Sequence, residues 1–316
     1  MHVPVLFDEV MEALQPRSGG RYLDCTLGGG GHTEGILNAS APDGQVLATD
    51  ADAEAILRVG AKHFGTNALN DGQTEMLRPH KDRLTLRQCW LDETPALVQQ
   101  LGFGPLDGVL IDLGLSSFQL EEGRRGFAFM REGPLDMRFD QSKGVSAAKW
   151  IDQHDAGELT NVLREYGEVV NARRVAEAMW QARPIETTQR LKEVVAMVAK
   201  TRNVRIHPAT QVFQALRIAV NDELQRLQRA LPDLIGLLRP GGRIAVITFH
   251  SLEDRIVKDV FRRESRTVVA QPGFGEQEER VARVRLVNKD PIGPSETEVA
   301  ANLRSRSAKL RVAEKI

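Results

Sequence analysis

Short apolar runs alternate with amphipathic stretches along most of this chain. Five of the runs have the length and composition of β-strands: residues 22–27, 46–49, 84–86, 109–113 and 244–249. Strands that alternate with helical patterns indicate a parallel sheet joined by crossover helices. Because the runs are almost continuously apolar, we expect both faces of the sheet to be covered. The pattern therefore predicts a doubly wound α/β fold.

A long interval without strand signals separates the fourth run from the fifth. Apolar residues recur there at helical spacing in three stretches: 156–183 with a break at Gly167, 187–200, and 212–238 with an interruption at Pro232. One crossover helix cannot fill so long an interval, so we predict an inserted all-α domain at 123–211. The core then comprises residues 1–122 and 212–316.

Two further signals follow in the second core segment. The Pro-Gly-Gly at residues 240–242 predicts a stop and a turn before a strand that begins at Arg243. Nearer the end of the sequence, residues 281–287 and 308–313 predict two closing strands.

The first apolar run ends in four consecutive glycines, residues 28–31, and Asp50 closes the second run. Glycine has no β-carbon, so this loop can turn sharply and let a ligand approach its N–H groups. An acid about 20 residues downstream, at the tip of the next strand, is placed to accept hydrogen bonds from ribose hydroxyls. The pair predicts a site for an adenosine-containing cofactor. The alternative is that the glycines form only a flexible turn.

Three adenosine cofactors can be compared at this loop. Thr33 stands where a dinucleotide fingerprint has its third glycine, which disfavours NAD. The loop lacks the G-x-x-x-x-G-K-[ST] motif that cradles a triphosphate. S-adenosylmethionine needs an acid for its ribose and open backbone for its amino-acid part, and it carries no phosphate. It is therefore the cofactor that the loop favours.

Composition narrows the class of protein further. The chain has 316 residues, of which 41% are hydrophobic, and a formal net charge of −1. Its two cysteines, Cys25 and Cys89, predict a reducing compartment, and its histidines and cysteines lack metal-site spacing. No apolar run approaches the length of a membrane helix. We expect a cytoplasmic protein without a metal or a membrane anchor. A homo-oligomer is compatible with the sequence, which does not determine the oligomeric state.

The fourth apolar run leads into Asp112, Ser116 and Gln119. Ligands of open α/β sheets lie outside the carboxyl ends of the strands, so we expect these residues to face the same crevice as the glycine loop. Hydrogen-bond acceptors there could hold the N–H groups of an exocyclic base amine and turn its lone pair toward a methyl donor. We therefore predict Asp112 and Ser116 as catalytic residues. The alternative is that Asp112 caps a turn and the serines cap a helix.

The two cysteines bear on which atom would be methylated. Methylation of a pyrimidine ring carbon usually needs a cysteine nucleophile to activate the ring. Neither Cys25 nor Cys89 belongs to the segment from Asp112 to Gln119. Transfer to an amine is therefore favoured over transfer to carbon.

The fifth run ends at Phe249 and His250. An aromatic ring at a strand tip can stack on a flipped base, so His250 is a third catalytic candidate, although it can equally be a structural histidine. The following Ser251-x-x-Asp254 predicts a helix N-cap. Several cations predict a surface that contacts phosphates, unless they are ordinary solvated faces. They are Arg202, Arg205, His207, Arg255, Lys258, Arg262, Arg263, Arg266, Arg304, Arg306, Lys309 and Arg311.

Several of these motifs together resemble a known family. The motifs are Thr26-Leu-Gly-Gly-Gly-Gly-His32, Asp112-Leu-Gly-Leu-Ser-Ser-x-Gln119-Leu, Arg125-Gly-Phe-Ala-Phe-Met130, Gly133-Pro-Leu-Asp-Met-Arg138, His207-Pro-Ala-Thr210 with Phe213-Gln-Ala-Leu-Arg217, and Phe249-His-Ser-Leu-Glu-Asp-Arg255. In this order, and over nearly the whole chain, they resemble the RsmH (MraW) family.

The resemblance implies a class I methyltransferase core interrupted by a helical domain. It implies an S-adenosylmethionine-dependent enzyme that methylates the N4 amine of a cytidine in the decoding centre of bacterial 16S ribosomal RNA. The implied partner is this RNA within the small ribosomal subunit. The family's cofactor-binding positions correspond to Gly30, Gly31, His32, Asp50, Asp112 and Gln119. A further contact, commonly phenylalanine in the family, falls at Trp90 or Leu91, and we assign it to Leu91. The rival functions are a DNA or protein methyltransferase of the same fold and a cofactor-binding protein without turnover.

Overall fold

The computed structural model describes residues 4–64, 82–199, 207–270, 277–279 and 281–316. In these ranges the strands are β1 (Arg21–Asp24), β2 (Gln45–Asp50), β3 (Leu84–Gln88), β4 (Leu106–Asp112), β5 (Leu238–Thr248), β6 (Val268–Ala270), β7 (Gln277–Glu279), β8 (Val284–Leu286) and β9 (Lys309–Lys315). The α-helices are α1 (Phe7–Leu14), α2 (Gly31–Ala39), α3 (Ala53–Phe64), α4 (Thr94–Gln100), α5 (Ser117–Glu121), α6 (Ala147–Gln153), α7 (Ala156–Glu165), α8 (Ala172–Gln181), α9 (Thr188–Val198), α10 (Pro208–Asn221), α11 (Glu223–Leu237), α12 (Ser251–Glu264) and α13 (Glu296–Ala301). Short 3-10 helices span Gly123–Arg125 and Leu303–Ser307.

Seven strands form one sheet in the order β3-β2-β1-β4-β5-β9-β8. The strands β1 to β5 are parallel, whereas β9 is antiparallel to both of its neighbours. The chain order reverses between β1 and β4, and open α/β sheets bind ligands in the crevice at such a reversal. This sheet confirms the predicted class I methyltransferase core.

Helices cover both faces of the sheet. Leu110 of β4 packs on one face in a cluster with Ile36 of α2, whereas Ile111 packs on the other face with Leu231 of α11 and Phe261 of α12. Successive side chains of a strand point to opposite faces, so a strand covered on both faces buries all of them. This is why the strand segments are almost continuously apolar.

The predicted stop and turn at residues 240–242 is right for the helix, because α11 ends at Leu237, and wrong for the strand, which begins at Leu238 and not at Arg243. β5 runs through these residues, and its pairing with β4 is irregular between Leu106 and Gly108. Gly241 adopts a φ of +79°, in the left-handed region that favours glycine. A bulge and a turn need the same backbone conformation, so the local sequence cannot distinguish them.

The end of the chain follows the prediction more closely. β8 and β9 lie within or close to the two predicted closing strands and confirm them. The two-stranded ribbon of β6 and β7 was not predicted, because strands of three residues carry little periodic signal.

The chain forms two compact units. One consists of Met1–Gly114 with Leu224–Ile316 and contains the sheet, and the other is Leu115–Glu223. The second unit is helical and has its own apolar cluster, which includes Leu163, Val194 and Leu216. Among the described residues, no helix combines the length and the apolar character needed to cross a membrane.

The predicted insertion, 123–211, lies inside the helical unit at both ends. The unit begins earlier because α5 starts just after Gly114, and it ends later because α10 continues as one helix through Asn221. Inward side chains of α10 such as Val212 and Leu216 belong to the cluster of this unit, so the boundary cannot fall at residue 211.

The predicted helix breaks are right in one case and wrong in another. Gly167 separates α7 from α8, as predicted. Pro232, however, lies within α11, and the break comes earlier, at Asp222, whose φ is +54°. A proline inside a helix costs about 3 kcal/mol, and burial of the apolar side of α11 against the sheet outweighs this cost.

Candidate cofactor and methyl-transfer site

The glycine loop connects β1 to α2 at the point where the sheet order reverses. Gly28 and Gly30 have φ of +49° and +78°. A β-carbon on Gly31, the first residue of α2, would lie 2.3 Å from Pro4 Cγ. Three of the four glycines are therefore required by the backbone or by close packing. The first N–H groups of α2 lie at this loop, and a helix N-terminus favours an anionic group such as a carboxylate.

A buried aspartate that the sequence did not single out fixes the base of the loop. Asp24 ends β1, and its carboxylate accepts hydrogen bonds from the Thr33 hydroxyl at 2.6 Å and from the Thr26 N–H at 3.1 Å. The Thr26 hydroxyl in turn accepts the Asp112 N–H at 2.6 Å. These bonds connect the ends of β1 and β4 to α2. In the sequence, an acid at a strand end followed two residues later by a threonine could have predicted this network.

Asp50 ties the end of β2 to the glycine loop. Its Oδ2 accepts the Gly28 N–H at 2.8 Å, and its Oδ1 accepts the Asp52 N–H at 2.9 Å. Burial raises the pKa of Asp50 to about 7, although both N–H groups act in the opposite direction. Each carboxylate oxygen can accept more than one hydrogen bond, so these contacts leave capacity for ribose hydroxyls.

His32 and Asp112 approach each other across the crevice. His32 is buried in the first turn of α2, stacked beside Phe7 with ring centroids 6.0 Å apart, and its Nε2 lies 3.6 Å from Asp112 Oδ2. Neither nitrogen of His32 forms a hydrogen bond within the described residues, and the same holds for Asp112 Oδ1. Buried polar atoms without a partner are rare in folded proteins. The residues present therefore fit a bound group with polar atoms of its own.

The loop after β3 contains Trp90 and Leu91, the two candidates for the remaining cofactor contact. The Arg226 guanidinium lies over the Trp90 ring, 4.1 Å from its centroid. Asp92 pairs with Arg226 and with Arg229, the latter at 2.9 Å. Leu91 is partly buried against the apolar cluster beneath α11 and α12. Arg226 and Arg229 were not predicted, because their partners lie more than 130 residues away in the sequence.

Ser116 and Gln119 form a capping box at the start of α5, in the helical unit. The Ser116 hydroxyl accepts the Gln119 N–H at 3.3 Å, and Gln119 Oε1 accepts the Ser116 N–H at 2.9 Å. Both side chains therefore have a local structural role, which was the alternative considered for the serines. A catalytic role for Ser116 and a cofactor contact for Gln119 stay predictions.

His250 also begins a helix. Its Nδ1 accepts the Glu253 N–H at 3.4 Å, and Glu253 Oε2 accepts the Phe249 N–H at 2.8 Å. The His250 Nε2 lies 3.0 Å from Glu253 Oε1. The predicted cap at Ser251 is therefore wrong by one residue: His250 is the N-cap of α12. Its catalytic role stays a prediction.

Asp254 was predicted to take part in that cap, but its side chain forms an ion pair instead. It forms an ion pair with Arg311, whose Nε lies 2.6 Å from Asp254 Oδ1. Burial raises the pKa of Asp254, but the hydrogen bond and the charge of Arg311 dominate and lower it. Arg311 is thus buried in an ion pair and does not belong to an exposed cationic surface. Arg202 and Arg205 lie outside the described residues.

Comparison with known proteins identifies the family. A family model described as the MraW methylase family matches residues 1–316. A protein of Thermomicrobium roseum is 47% identical over 100% of this chain and 94% of its own length. One of Citrifermentans bemidjiense is 47% identical over 100% of this chain and 98% of its own length. Both are named Ribosomal RNA small subunit methyltransferase H. The chain therefore belongs to the MraW methylase family, and its methyl donor is S-adenosylmethionine.

Proposed function

We propose that this methyltransferase methylates the exocyclic N4 amine of a cytidine in the decoding centre of bacterial 16S ribosomal RNA. The observation that carries the choice of RNA is the 47% identity, over the whole chain, to relatives named as methyltransferases of small-subunit ribosomal RNA. The choice of the cytidine amine follows from the family motifs and from the side chains at the crevice. Such a substrate would place the enzyme in the bacterial cytoplasm, as the cysteine content predicts.

The residues around the crevice would hold the cofactor as follows. Gly31 and the N-terminus of α2 offer N–H groups to its carboxylate. Gly30, whose own N–H donates to the Leu27 carbonyl at 2.7 Å, keeps the loop backbone open beside the cofactor. Asp50 accepts the ribose hydroxyls, and His32 meets the amino-acid part. We assign Gln119 and Leu91 to further contacts, with Leu91 beside the adenine ring. The bound cofactor supplies a methyl group on a positively charged sulfur.

Asp112 has the main role toward the base in this proposal. The lone pair of a cytidine amine is delocalised into the ring, so the amine is a poor nucleophile until its N–H groups are held out of that plane. An oxygen of the Asp112 carboxylate, whose side chain is 25% exposed, accepts one of these N–H groups and turns the lone pair toward the methyl group. After transfer, the same carboxylate oxygen takes the surplus proton from the methylated nitrogen.

The environment of the cysteines supports transfer to nitrogen. Burial raises the pKa of the Cys25 thiol well above its usual range, which disfavours the thiolate. Cys89 is also buried, and its thiol donates to the Trp90 carbonyl at 3.4 Å. Methylation of a pyrimidine ring carbon needs a thiolate beside the base. An amine acceptor needs none.

The proposal is tested by methyl transfer from labelled S-adenosylmethionine. Small ribosomal subunits from cells that lack this protein, free 16S RNA, DNA and a protein extract serve as acceptors. We expect label in the subunits, and mass mapping of their RNA should locate one added methyl group on the N4 amine of a cytidine. Label confined to DNA or protein would favour the rival methyltransferases. Tight cofactor binding without transfer to any acceptor would favour a binding protein.

A further inference from the structure

The outer side of α12 carries a row of cations. Arg255, Lys258 and Arg262 follow one another at helical spacing, Arg263 lies in the last turn, and Arg266 follows the end of the helix. The four arginines are exposed, and Lys258 is half-buried. Residues at i, i+3 and i+7 lie on one side of a helix, so the first three form a stripe. From Arg255 to Arg262 this stripe spans about 10 Å at 1.5 Å per residue.

Three of the four acids of the same helix are buried. Glu253, Asp254 and Glu264 are buried and contact cationic or histidine side chains inside the unit. Within α12, Asp259 is the exposed acid that accompanies the row. An ordinary solvated helix mixes both signs on its outer face. Here three of the four acids are buried and paired inside, so Asp259 is the one acid of α12 that offsets the cations on its outer side.

The row of cations begins at the carboxyl ends of the parallel strands, where the cofactor loops also lie. α12 follows directly from the carboxyl end of β5, and Lys309 pairs in register with Thr248 at that same end. Lys309 Nζ also lies 3.4 Å from Asp254, which connects the start of β9 to the first turn of α12. Lys309 therefore brings a positive charge to the first turn of α12, and the exposed Arg306 precedes it by three residues in the chain.

Acids flank this second group. Glu296 and Glu298 belong to α13, which packs against the 3-10 helix that contains Arg306. Glu298 accepts the Leu6 N–H at 2.8 Å. The charge of the row on α12 is therefore less offset than that of the group around Arg306, and α12 is the place to test.

The whole chain has 42 Lys and Arg residues against 43 Asp and Glu, so a one-sided surface is not a consequence of composition. Four of the five cations in the row are arginines, whose planar forks bind phosphate oxygens in pairs. We propose that the outer side of α12, with Lys309 at its head, is a phosphate-contacting track for the RNA strand that leads to the methylated base. This inference rests on the proposed RNA substrate and names the surface that binds it.

Paired variants test the track against a matched control. Arg255→Gln with Lys258→Gln removes two charges from its head. The control is Arg17→Gln with Arg285→Gln, which also removes two positive charges. These residues pair with Asp107 and Glu314, near the amino ends of the central strands. The affinity of each protein for small ribosomal subunits and for free 16S RNA is measured over a range of salt concentrations, and cofactor affinity is measured by calorimetry.

For the track variant, we expect the plot of log affinity against log salt to become shallower by about 1.5, because each lost phosphate contact removes about 0.7 to 0.9. Its cofactor affinity should equal that of the wild type. The control variant should keep the wild-type slope. The track is refuted if both paired variants have the same slope, or if the wild type binds RNA without salt dependence.

The binding measurement separates this inference from the proposed function. A wild type that binds the RNA but adds no methyl group to a cytidine amine would refute the proposed function. The slopes of the two variants would still decide whether α12 contacts the phosphates. Conversely, a track variant with unaltered binding in an enzyme that does methylate the cytidine would refute the track alone.

Discussion

The crevice between β1 and β4 and the helix N-termini at Ser116 and His250 use similar polar residues in opposite ways. In the crevice, His32 and Asp112 have buried polar atoms that no described residue satisfies. At the two N-termini, the Ser116 hydroxyl, the Nδ1 of His250 and the side chains of Gln119 and Glu253 are engaged in capping boxes, and His250 Nε2 is the one atom of this group that is buried without a hydrogen bond to a described residue. A polar residue at a strand end can therefore serve a ligand or a helix, and only its partners reveal which.

The largest expected effect comes from Asp112. Asp112→Ala should lower turnover at least about 100-fold, because the amine loses the acceptor that orients it. Cofactor affinity should fall as well, by about tenfold, since the carboxylate faces the same crevice. Steady-state kinetics on small ribosomal subunits and calorimetry with the cofactor measure the two effects. The backbone bond from Asp112 to Thr26 does not involve the side chain, so the local fold should persist. Full turnover in this variant would end the role assigned to Asp112.

The next largest effect concerns Asp50. Asp50→Ala should weaken cofactor binding about 10- to 100-fold, the equivalent of losing hydrogen bonds to a charged group. Turnover at saturating cofactor should change much less, because Asp50 contacts no reacting atom in the proposal. Calorimetry and initial rates separate the two quantities. A variant with normal affinity and lost turnover would contradict the assignment of Asp50 to the ribose.

A pH dependence should accompany that effect. The pKa of Asp50 is about 7 in the free protein, and ribose hydroxyls that donate to the carboxylate would lower it in the complex. Cofactor affinity should therefore fall as the pH drops through 7, by up to about tenfold per pH unit, because the protonated acid must first ionise. Asp50→Asn lacks this component, so the difference between the two profiles isolates it. Identical profiles would remove Asp50 from the ribose site.

A smaller effect is expected at Ser116. Ser116→Ala removes the hydroxyl that accepts the Gln119 N–H and should lower the free energy of unfolding by about 1 kcal/mol. If capping is its whole role, turnover should stay within about twofold of the wild type. Denaturant unfolding and steady-state kinetics measure both quantities. Lost turnover with unchanged stability would instead make Ser116 a catalytic residue, as the sequence suggested.

The smallest effect is expected from His250→Asn. Asparagine is a good N-cap, so the variant should keep the start of α12 and the free energy of unfolding close to the wild-type value. Turnover should also be retained if the ring only caps the helix. A clear loss of turnover in a variant of normal stability would show that the imidazole has a role toward the base. Together, the two cap variants decide whether the difference between crevice and helix N-termini is as sharp as the hydrogen bonds indicate.

The described fold and crevice show which features short-range patterns can predict. Apolar runs predicted the five parallel strands, because burial on both faces leaves a local signature in each strand. The glycine loop and Asp50 were predictable for a similar reason. Both directly follow or end an apolar run, so their places at the ends of β1 and β2 can be read from the local sequence. The bulge at Gly241 and the uninterrupted α11 were missed, because packing against distant strands overrides the local preference.

The sequence by itself determined the α/β class, the glycine loop, the acid at the end of β2 and, through its motifs, the family. Tertiary structure alone decided the partners of each polar group: Asp24 with Thr33, Asp254 with Arg311, Arg226 over Trp90, and His32 beside Asp112. It also decided that three of the four acids of α12 are buried while its arginines face solvent. Sheet order and helix packing bring the members of these pairs together. Neither composition nor spacing along the chain predicts which residues will meet in this way.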